Sequence, residues 1–179
     1  QTIDQTTTNV LSLNSVELAT ASYTMYVTNA NTAAITRVNG FVSSTVGGAL
    51  SRVTNSAASY LFPTGSSTGT VRYRPVALTP ATAAANTYEV RMANYTPTTE
   101  AFNVNTKEAI ICQVNPLFFH MLNHTAGADL TTVNVYYDNA ADGSWDAMGN
   151  WLTSPSAQWY EIAGSTTAVG APLYVATAT

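Results

Sequence analysis

Two histidines have the spacing in this sequence that most suggests metal chemistry. His120 and His124 stand four positions apart, which on a helix would place both imidazoles on one face, as in a zinc-binding pair. The surrounding residues 118–122 are instead typical of a strand, in which positions four apart are separated by about 13 Å. One ion cannot bind both rings at that distance, so we predict packing or surface roles for the two histidines.

An acidic loop over residues 138–146 is the second candidate for metal binding. It carries the carboxylates of Asp138, Asp142 and Asp146, and calcium prefers oxygen ligands of this kind. The spacing does not match a helix–loop–helix calcium site, and Asp-Gly, present at 142–143, is a common turn pair. We predict a plain turn, keep calcium as the alternative, and expect no other cofactor.

Four aromatic residues near the end of the sequence are candidates for sugar binding. They are Trp145, Trp151, Trp159 and Tyr160. On a flat, exposed β face their rings would stack on the rings of a glycan, as in carbohydrate-binding modules. Burial is the commoner fate of tryptophan, because each ring covers a large apolar area. We predict core or intersubunit packing, with a glycan platform as the alternative.

No group of residues indicates catalysis. Serine, histidine and aspartate all occur, but without a Gly-x-Ser-x-Gly elbow or another context that activates a nucleophile. Cys112 is the only cysteine and lies in the apolar run 110–114, so we predict a small buried residue rather than a reactive thiol. We therefore expect a protein that is not an enzyme.

The composition is that of a folded chain with few charges. Hydrophobic residues make up 46% of the 179 residues and charged residues only 9%, against about 25% in an average soluble domain. The net charge is −4, and the six basic residues are scattered, so no basic stripe for nucleic acid is present. No apolar run approaches the roughly twenty residues of a membrane-spanning helix.

Hydrophobic residues alternate with period two over several short segments. Residues 23–27, 88–92 and 133–137 each place apolar side chains on one face and polar ones on the other, as half-buried strands do. Residues 109–114 are apolar on both faces and are predicted to form a central strand. Residues 117–122 are predicted to return beside it.

Turn signals separate these segments at short intervals. Glycine-containing pairs at 39–40, 47–48 and 142–143 are examples, and such punctuation is typical of antiparallel sandwiches and barrels. We predict an all-β fold, an antiparallel β-sandwich of jelly-roll or immunoglobulin-like type, with many short strands and little or no helix. The chain 1–179 is predicted to be one domain, with a possible subdomain boundary near 79–86, and no internal repeat of fixed period is evident.

One motif dominates the first half of the sequence. Its residues are Tyr60, Phe62, Pro63 and Gly65, followed by Arg72, Tyr73, Arg74 and Pro75. Because proline cannot donate to a β-ladder and glycine tolerates positive φ, residues 62–65 are predicted to be a strand that runs into a fixed turn. The two arginines share a strand face and are predicted to pair with Glu89 or Glu108 across the sheet.

This motif resembles the YxFPxG…YRPV signature of secreted cell-surface proteins of Bacteroidetes, the kind exported by the type IX secretion system. The likeness extends to residues 39–42, 48–52, 114–119, 133–138 and 151–159. It implies an extracellular location, a β-rich build and scaffold roles for the shared arginines and aromatics, but no activity. The carboxy-terminal sorting domain of those proteins has no counterpart in this sequence.

Strand-like segments near both ends of the sequence suggest a mode of assembly. Residues 10–13 and 172–177 have few charges, and lysine on edge strands is a usual block to pairing. Either segment would then add as a strand to a neighbouring subunit, and head-to-tail contacts of this kind produce filaments. We expect a secreted, self-assembling structural protein, a subunit of a surface fibre, sheath or layer. The alternative is a cell-surface adhesin or carbohydrate-binding module.

Overall fold

The computed structural model describes residues 2–163, 166–170 and 173–178. In this part of the chain most residues of regular structure are in strands, and the one α-helix, α1, spans Asn139–Asp142. Two five-stranded sheets contribute to a shared core, so the predicted all-β, sandwich-like fold is confirmed. None of the described helices has the length and apolar character needed to cross a membrane.

The two large sheets are built from strands that come in groups along the chain, three from the first sheet, two from the second, two from the first and three from the second. The first sheet contains, in spatial order, β1 (Gln5–Thr7), β4 (Thr24–Val27), β7 (Ala49–Thr54), β12 (Asn86–Ala93) and β13 (Phe119–Ala126). The second contains β17 (Thr166–Gly170), β18 (Leu173–Ala178), β14 (Thr131–Asp138), β11 (Val76–Pro80) and β8 (Tyr60–Phe62), all antiparallel.

Shorter strands pair outside these sheets. They are β2 (Leu11–Ser12) with β5 (Ile35–Thr36), β3 (Glu17–Ala21) with β6 (Phe41–Ser44), β9 (Gly65–Ser66) with β10 (Arg72–Tyr73), and β15 (Met148–Leu152) with β16 (Gln158–Ala163). Short 3-10 turns occur at Thr32–Ala34 and Pro97–Glu100.

The core lies between the two sheets and is filled by the side chains on the inner face of each sheet. Met25, Leu50 and Val90 of the first sheet meet Phe62 and Leu78 of the second, and all five are buried. Burial of such side chains is the main source of stability, at about 1.5–3 kcal/mol for each large aliphatic or aromatic residue.

The three predicted amphipathic strands are confirmed. The segment 23–27 corresponds to β4, 88–92 lies within β12, and 133–137 lies within β14. Their apolar faces are packed inside the protein, with Tyr88 in the main core and Tyr137 in a second, smaller cluster with Met92 and Phe118. Period-two alternation therefore identified the core-facing side of each strand, although Tyr23, which was assigned to that side, precedes β4 and is 36% exposed.

Residues 5–66 wind into stacked parallel coils that were not predicted. Gln5 pairs with Met25, and Met25 pairs with Leu50, so the chain returns to the same position after 20 and then 25 residues. β2 and β5 pair in parallel in the same way, as do β3 and β6. Because the coils differ in length, they leave no fixed period in the sequence.

The first coil, residues 5–21 with strands β1–β3, is stacked on one side only. Within the described residues β1 pairs with β4 alone and β2 with β5 alone, so each has an unoccupied edge. Exposed aliphatic residues precede the three strands: Ile3, Val10 and Val16. The coil stack therefore ends in open strand edges flanked by apolar side chains.

Residues 79–86 form a connection between the two layers. β11 ends at Pro80 in the second sheet, β12 begins at Asn86 in the first, and the residues between them are exposed. Leu78 and Tyr88, on either side, belong to the same core. The lapse in alternation thus marks a turn that passes from one sheet to the other.

Residues 109–114 do not form the predicted central strand, and that prediction is wrong. The backbone turns there, with Ile111 N donating to Glu108 O at 3.1 Å, and Ile110 is 70% exposed. The place beside β12 is taken by β13, whose eight residues make a longer ladder than a six-residue run allows. Cys112 is consequently exposed rather than buried.

The strand near the C-terminus lies inside the second sheet. β18 pairs with β14 on one side and β17 on the other, so it has no free edge for a neighbouring subunit. The prediction that this segment adds to another copy is therefore wrong, although Pro172 itself lies outside the described residues. Of the two terminal segments, only the N-terminal one keeps an open side.

Candidate functional site

The motif that begins at Tyr60 joins the coils to the second sheet. Tyr60 and Phe62 are completely buried, and the Tyr60 hydroxyl donates to Ala30 O at 2.9 Å. Pro63, where no N–H is needed, offers its carbonyl to Val42 N at 2.8 Å. Tyr73 lies under the guanidinium of Arg37, 4.0 Å from the ring centre. These aromatics are scaffold residues of the junction.

Gly65 is required by close packing and not by a positive φ. It lies in β9, and its φ is outside the left-handed region that the predicted turn demands. A Cβ at this position would stand 2.6 Å from Arg72 O and 2.9 Å from Cδ2 of Phe41. A tight turn does occur at Pro63, where Thr64 N donates to Phe62 O at 2.8 Å, but the expected positive φ at Gly65 is wrong, because the chain continues there as a short strand pressed against its neighbours.

Both arginines of the motif bind one carboxylate. Arg74 donates through Nε to Asp142 Oδ2 and through Nη2 to Oδ1 at 3.0 Å, and Arg72 Nε donates to Oδ1 at 3.2 Å. The Asp142 side chain has no exposed surface. The predicted pairing with Glu89 or Glu108 is wrong, because the aspartate at the end of α1 occupies the arginine face.

The acidic loop is organised by bonds of the same kind. Asp138 caps α1 by accepting from Ala140 N and Ala141 N, at 3.0 and 3.1 Å. Asp142 is bound by the arginines and also accepts from Asp138 N at 2.8 Å, whereas Asp146 is exposed. In the described part of the chain no three potential ligands come together to hold an ion. Asp138 and Asp142 therefore stabilise the single helical turn of this loop.

The two histidines have packing roles. His120 Nε2 lies 2.7 Å from Arg74 O, a geometry in which the ring donates to the carbonyl. His124 stacks on Tyr88 with ring centres 4.5 Å apart and bonds the Asn86 side chain at 3.0 Å. Each ring is thus committed to a separate part of the structure.

An apolar cleft of about 770 Å³ is the candidate functional site. One wall is β13, the floor is β14 with β18, and the other wall is the β15–β16 hairpin. Residues 110–115, the segment that does not join a sheet, lie along the mouth. Ligand-binding clefts fall in the range of about 300–1,000 Å³ and are mainly apolar, as this one is.

The cleft runs along the edge of β13. Four consecutive residues, Phe119–Leu122, line it. Successive side chains of a strand point to opposite faces, so a cleft on one face would contact only alternate residues. Within the described residues β13 pairs with β12 and with no strand on its other side. An open strand edge and an apolar cleft therefore coincide.

All three tryptophans of the sequence line this cleft. Trp151 and Trp159 are opposite one another on the hairpin, with ring centres 5.9 Å apart in an edge-to-face arrangement. Trp145 packs against the Phe118 cluster, and its indole N–H donates to Asp142 O at 3.0 Å. Tyr160 does not line the cleft. Of the four candidate sugar-binding rings, three converge as packed walls and not as a flat face.

A chain of rings extends from these tryptophans across the cleft. Phe102 contacts both Trp151 and Phe119 edge to face, at 5.8 and 5.7 Å between ring centres. Phe119 in turn contacts Tyr95 at 6.0 Å. Sequence reasoning missed Phe102, since it stands alone in a polar loop, and its role depends on a hairpin some fifty residues later along the chain.

The electrostatics of the cleft are those of an apolar surface with an acidic rim. Burial lowers the pKa of His120 to about 4, although the bond to the Arg74 carbonyl acts in the opposite direction, so the ring is neutral at pH 7. Asp146 and Glu161 are the charged residues among the described lining, and both are exposed. The side-chain oxygen of Asn150 is buried without a partner among the described residues.

This arrangement is suited to binding an apolar group. Its rings and aliphatic side chains offer contact area, its rim carboxylates offer attraction for a cation, and its one histidine is held neutral by its surroundings. No family model, curated protein or solved structure matches this chain.

Proposed function

We propose that this protein is an extracellular structural protein, a subunit of a surface fibre, sheath or layer held together by β-strand contacts between subunits. The first coil is proposed as one of the two contact surfaces that a head-to-tail polymer requires. Its strands receive a parallel coil or strand from a neighbouring subunit and so continue the stack of coils beyond a single chain.

The unoccupied edge of the first coil is the observation that carries this proposal. β1 and β2 present backbone donors and acceptors on a side where no described strand pairs with them. Coil stacks that stay soluble as monomers usually end in a capping element with a polar outer face. Here the residues at that end include Ile3, Val10 and Val16, which are 61%, 51% and 67% exposed.

The sequence supplies two further supports. Only 9% of residues are charged, so lysine and other charged guards against edge pairing are scarce. The resemblance of residues 60–75 to the signature of secreted surface proteins supports the extracellular part of the proposal, and in this chain those residues serve as scaffold. A chain whose distinctive residues build a framework fits a mechanical role.

Sedimentation velocity and electron microscopy over a range of protein and salt concentrations test this proposal. We expect assemblies larger than a monomer that dissociate in the double variant Val10→Lys/Val16→Lys. The matched control Ala57→Lys/Ser59→Lys adds the same charge to an exposed loop between β7 and β8 and should assemble like the parent protein. A protein that stays monomeric throughout, or a first-coil variant that assembles normally, would contradict the proposal.

Carbohydrate binding is the second candidate function, favoured by the convergence of Trp145, Trp151 and Trp159 on one cleft. Titration with soluble oligosaccharides, monitored by tryptophan fluorescence, distinguishes it from the first. Saturable binding that is lost in Trp145→Ala, with an unchanged thermal unfolding curve and normal binding by Tyr160→Phe, would support it. No saturable response to any oligosaccharide would remove this candidate.

A further inference from the structure

The open edge of β13 and the apolar cleft beside it form a combination that suits peptide recognition. β13 extends over eight residues, Phe119–Ala126, and pairs with β12 through seven register positions. Alternate residues of a strand direct their N–H and C=O groups to opposite edges, so half of those in β13 point away from β12. On that side no described strand accepts them, and the cleft begins there.

We propose that an extended peptide adds to the outer edge of β13 as a further strand and places alternate apolar side chains in the cleft. In this mode of recognition the main chain supplies hydrogen bonds and the pockets for alternate side chains supply specificity. The peptide would extend the first sheet by one strand. That strand would cover the part of β14 and β18 that β13 leaves open. This edge is separate from the first coil, so peptide binding does not require assembly through the first coil.

The dimensions of the cleft set the length of the peptide. At about 3.4 Å per residue, β13 is long enough to pair with a peptide of about seven residues, and side chains on one face of that peptide are about 7 Å apart. A cleft of about 770 Å³ holds the side chains of two or three such positions. Bulky residues are expected there, because three Phe, three Trp, three Ile and three Val line the cleft.

The negative charge of the rim determines which charge the peptide should carry. Asp146 and Glu161 contribute negative charge, and the described lining contains no lysine or arginine. His120 stays neutral at pH 7. A peptide with a lysine or arginine next to its apolar residues, and without Asp or Glu, therefore complements the site. Exposed ion pairs of this kind add modest affinity that weakens with salt.

The first coil of a second copy does not meet these requirements. β1 has the sequence Gln5-Thr6-Thr7, which brings polar side chains and no cation. The occupant is consequently a segment of another protein with alternating apolar residues. Peptide binding and self-association are also separable, because Val10→Lys/Val16→Lys changes the first coil alone and should bind peptide like the parent protein.

Tryptophan fluorescence tests the proposal directly, since all three tryptophans line the cleft. The probe is the synthetic peptide Lys-Val-Thr-Phe-Thr-Val-Thr-Leu-Lys, capped at both ends. We expect a saturable change in emission with one peptide bound per chain. A peptide of the same composition with its apolar residues grouped together should bind at least about tenfold more weakly, because grouping sends half of them away from the cleft.

Backbone methylation separates strand addition from simple apolar contact. Methylating the threonine amides blocks one edge of the probe, and methylating the Val, Phe and Leu amides blocks the other. Only one edge of an added strand faces β13, so only one of the two methylated peptides should lose binding. The loss should be about tenfold or more, because several hydrogen bonds are removed. The proposal is overturned if the two methylated peptides bind equally well, or if the grouped peptide binds as tightly as the probe. It is also overturned if the unmodified probe gives no saturable signal.

A pair of charge variants tests the rim. Asp146→Asn/Glu161→Gln removes two negative charges from exposed positions, so the fold should be retained. We expect about fivefold weaker binding of the probe at low salt and little difference at 1 M salt. The control Ala57→Lys/Ser59→Lys changes the net charge equally, away from the cleft, and should bind almost normally. Equal loss in both variants would contradict recognition at the rim.

Discussion

The guanidinium of Arg74 and the carboxylate of Asp142 form a buried ion pair between residues 68 positions apart. The pair holds α1 and the loop after it against the motif strand β10 and its continuation. Trp145, which lines the cleft, is bonded to the backbone of the same aspartate. The ion pair therefore links the sequence motif of the first half to the candidate site of the second.

Removing the charge of Asp142 should be among the most destabilising single substitutions. Asp142→Asn leaves Arg72 and Arg74 without a counter-ion in a site with no exposed carboxylate surface, and breaking a buried pair typically costs about 3–5 kcal/mol. Urea denaturation measures the free energy of unfolding. Asp146→Asn, four residues later and exposed, is the matched control and should change it by less than about 0.5 kcal/mol.

A small effect of Asp142→Asn, within the error of the control, would show that the arginine cluster is not structural. Tryptophan emission of the same variant reports on the cleft. If the variant remains folded, the emission of Trp145 should shift, because the carbonyl that its indole N–H bonds moves with α1.

The stability of the protein should depend on pH through His120. Its pKa in the folded state is about 4 because the ring is buried, against about 6.5 when it is exposed. Between these values the unfolded chain binds a proton that the folded protein does not, so stability is complete above about pH 6.5 and falls as the pH drops toward 4. The contribution is at most about 3 kcal/mol.

His120→Gln isolates this contribution. Glutamine keeps an N–H donor for Arg74 O but does not titrate, so the variant should lose less stability than the parent between pH 6.5 and 4. Carboxylates titrate in both proteins and cancel in the comparison. Chemical denaturation at several pH values measures the difference, and parallel curves for the two proteins would refute the assignment.

Arg52 is also a buried cation, but no carboxylate among the described residues pairs with it. It donates to Leu61 O at 2.5 Å and to the carbonyls of Asn31 and Thr32 at 3.1 Å each. Burial lowers its pKa to about 10, so it stays charged at neutral pH. Arg52→Met should destabilise the protein by about 2–4 kcal/mol, because three backbone carbonyls lose the charged donor that joins them.

Arg37→Met is the control for this substitution. Arg37 is only partly buried, donates one hydrogen bond, to Gly40 O at 2.6 Å, and stacks on Tyr73, so its loss should cost about 1 kcal/mol. Thermal and urea unfolding measure both variants. If Arg52→Met and Arg37→Met lowered the free energy of unfolding by similar amounts, the coil junction would not depend on the carbonyls bound by Arg52.

The parts of the fold that were predictable from the sequence are those in which burial is local to one strand. β12 and β14 alternate over their length, and the sides that alternation assigned to the core are the sides that face it. The convergence of Trp145 and Trp159 on one site was foreseen only as a cluster in sequence. Its shape as a cleft depends on where the hairpin folds back against β18, which no local pattern records.

Two features were not predictable because they depend on competition between distant segments. The apolar run 109–114 has the composition of a central strand, but β13 makes a longer ladder with β12 and excludes it. A short apolar run is ambiguous for this reason. The parallel coils were missed because successive returns differ by several residues, so that Met25 aligns with Gln5 and Leu50 without a repeat in residue type.

Gly65 should tolerate no larger side chain, for a reason that differs from that of an ordinary turn glycine. A Cβ at Gly65 meets backbone and an aromatic ring closer than 3.0 Å, whereas at Gly69, with φ of +69°, a Cβ meets nothing within 4 Å. Gly65→Ala should therefore cost about 3 kcal/mol through overpacking, and Gly69→Ala about 1 kcal/mol through backbone strain.

Asparagine separates the two causes. It adopts the left-handed conformation more readily than alanine, so Gly69→Asn should be no worse than Gly69→Ala. At Gly65 the larger side chain deepens the clash with Arg72 O and Phe41, so Gly65→Asn should be worse than Gly65→Ala. Urea denaturation of the four variants measures which of the Ala and Asn variants is the less stable at each position. If asparagine were the milder substitution at both positions, the glycine of this motif would be conformational after all, and the packing explanation would fail.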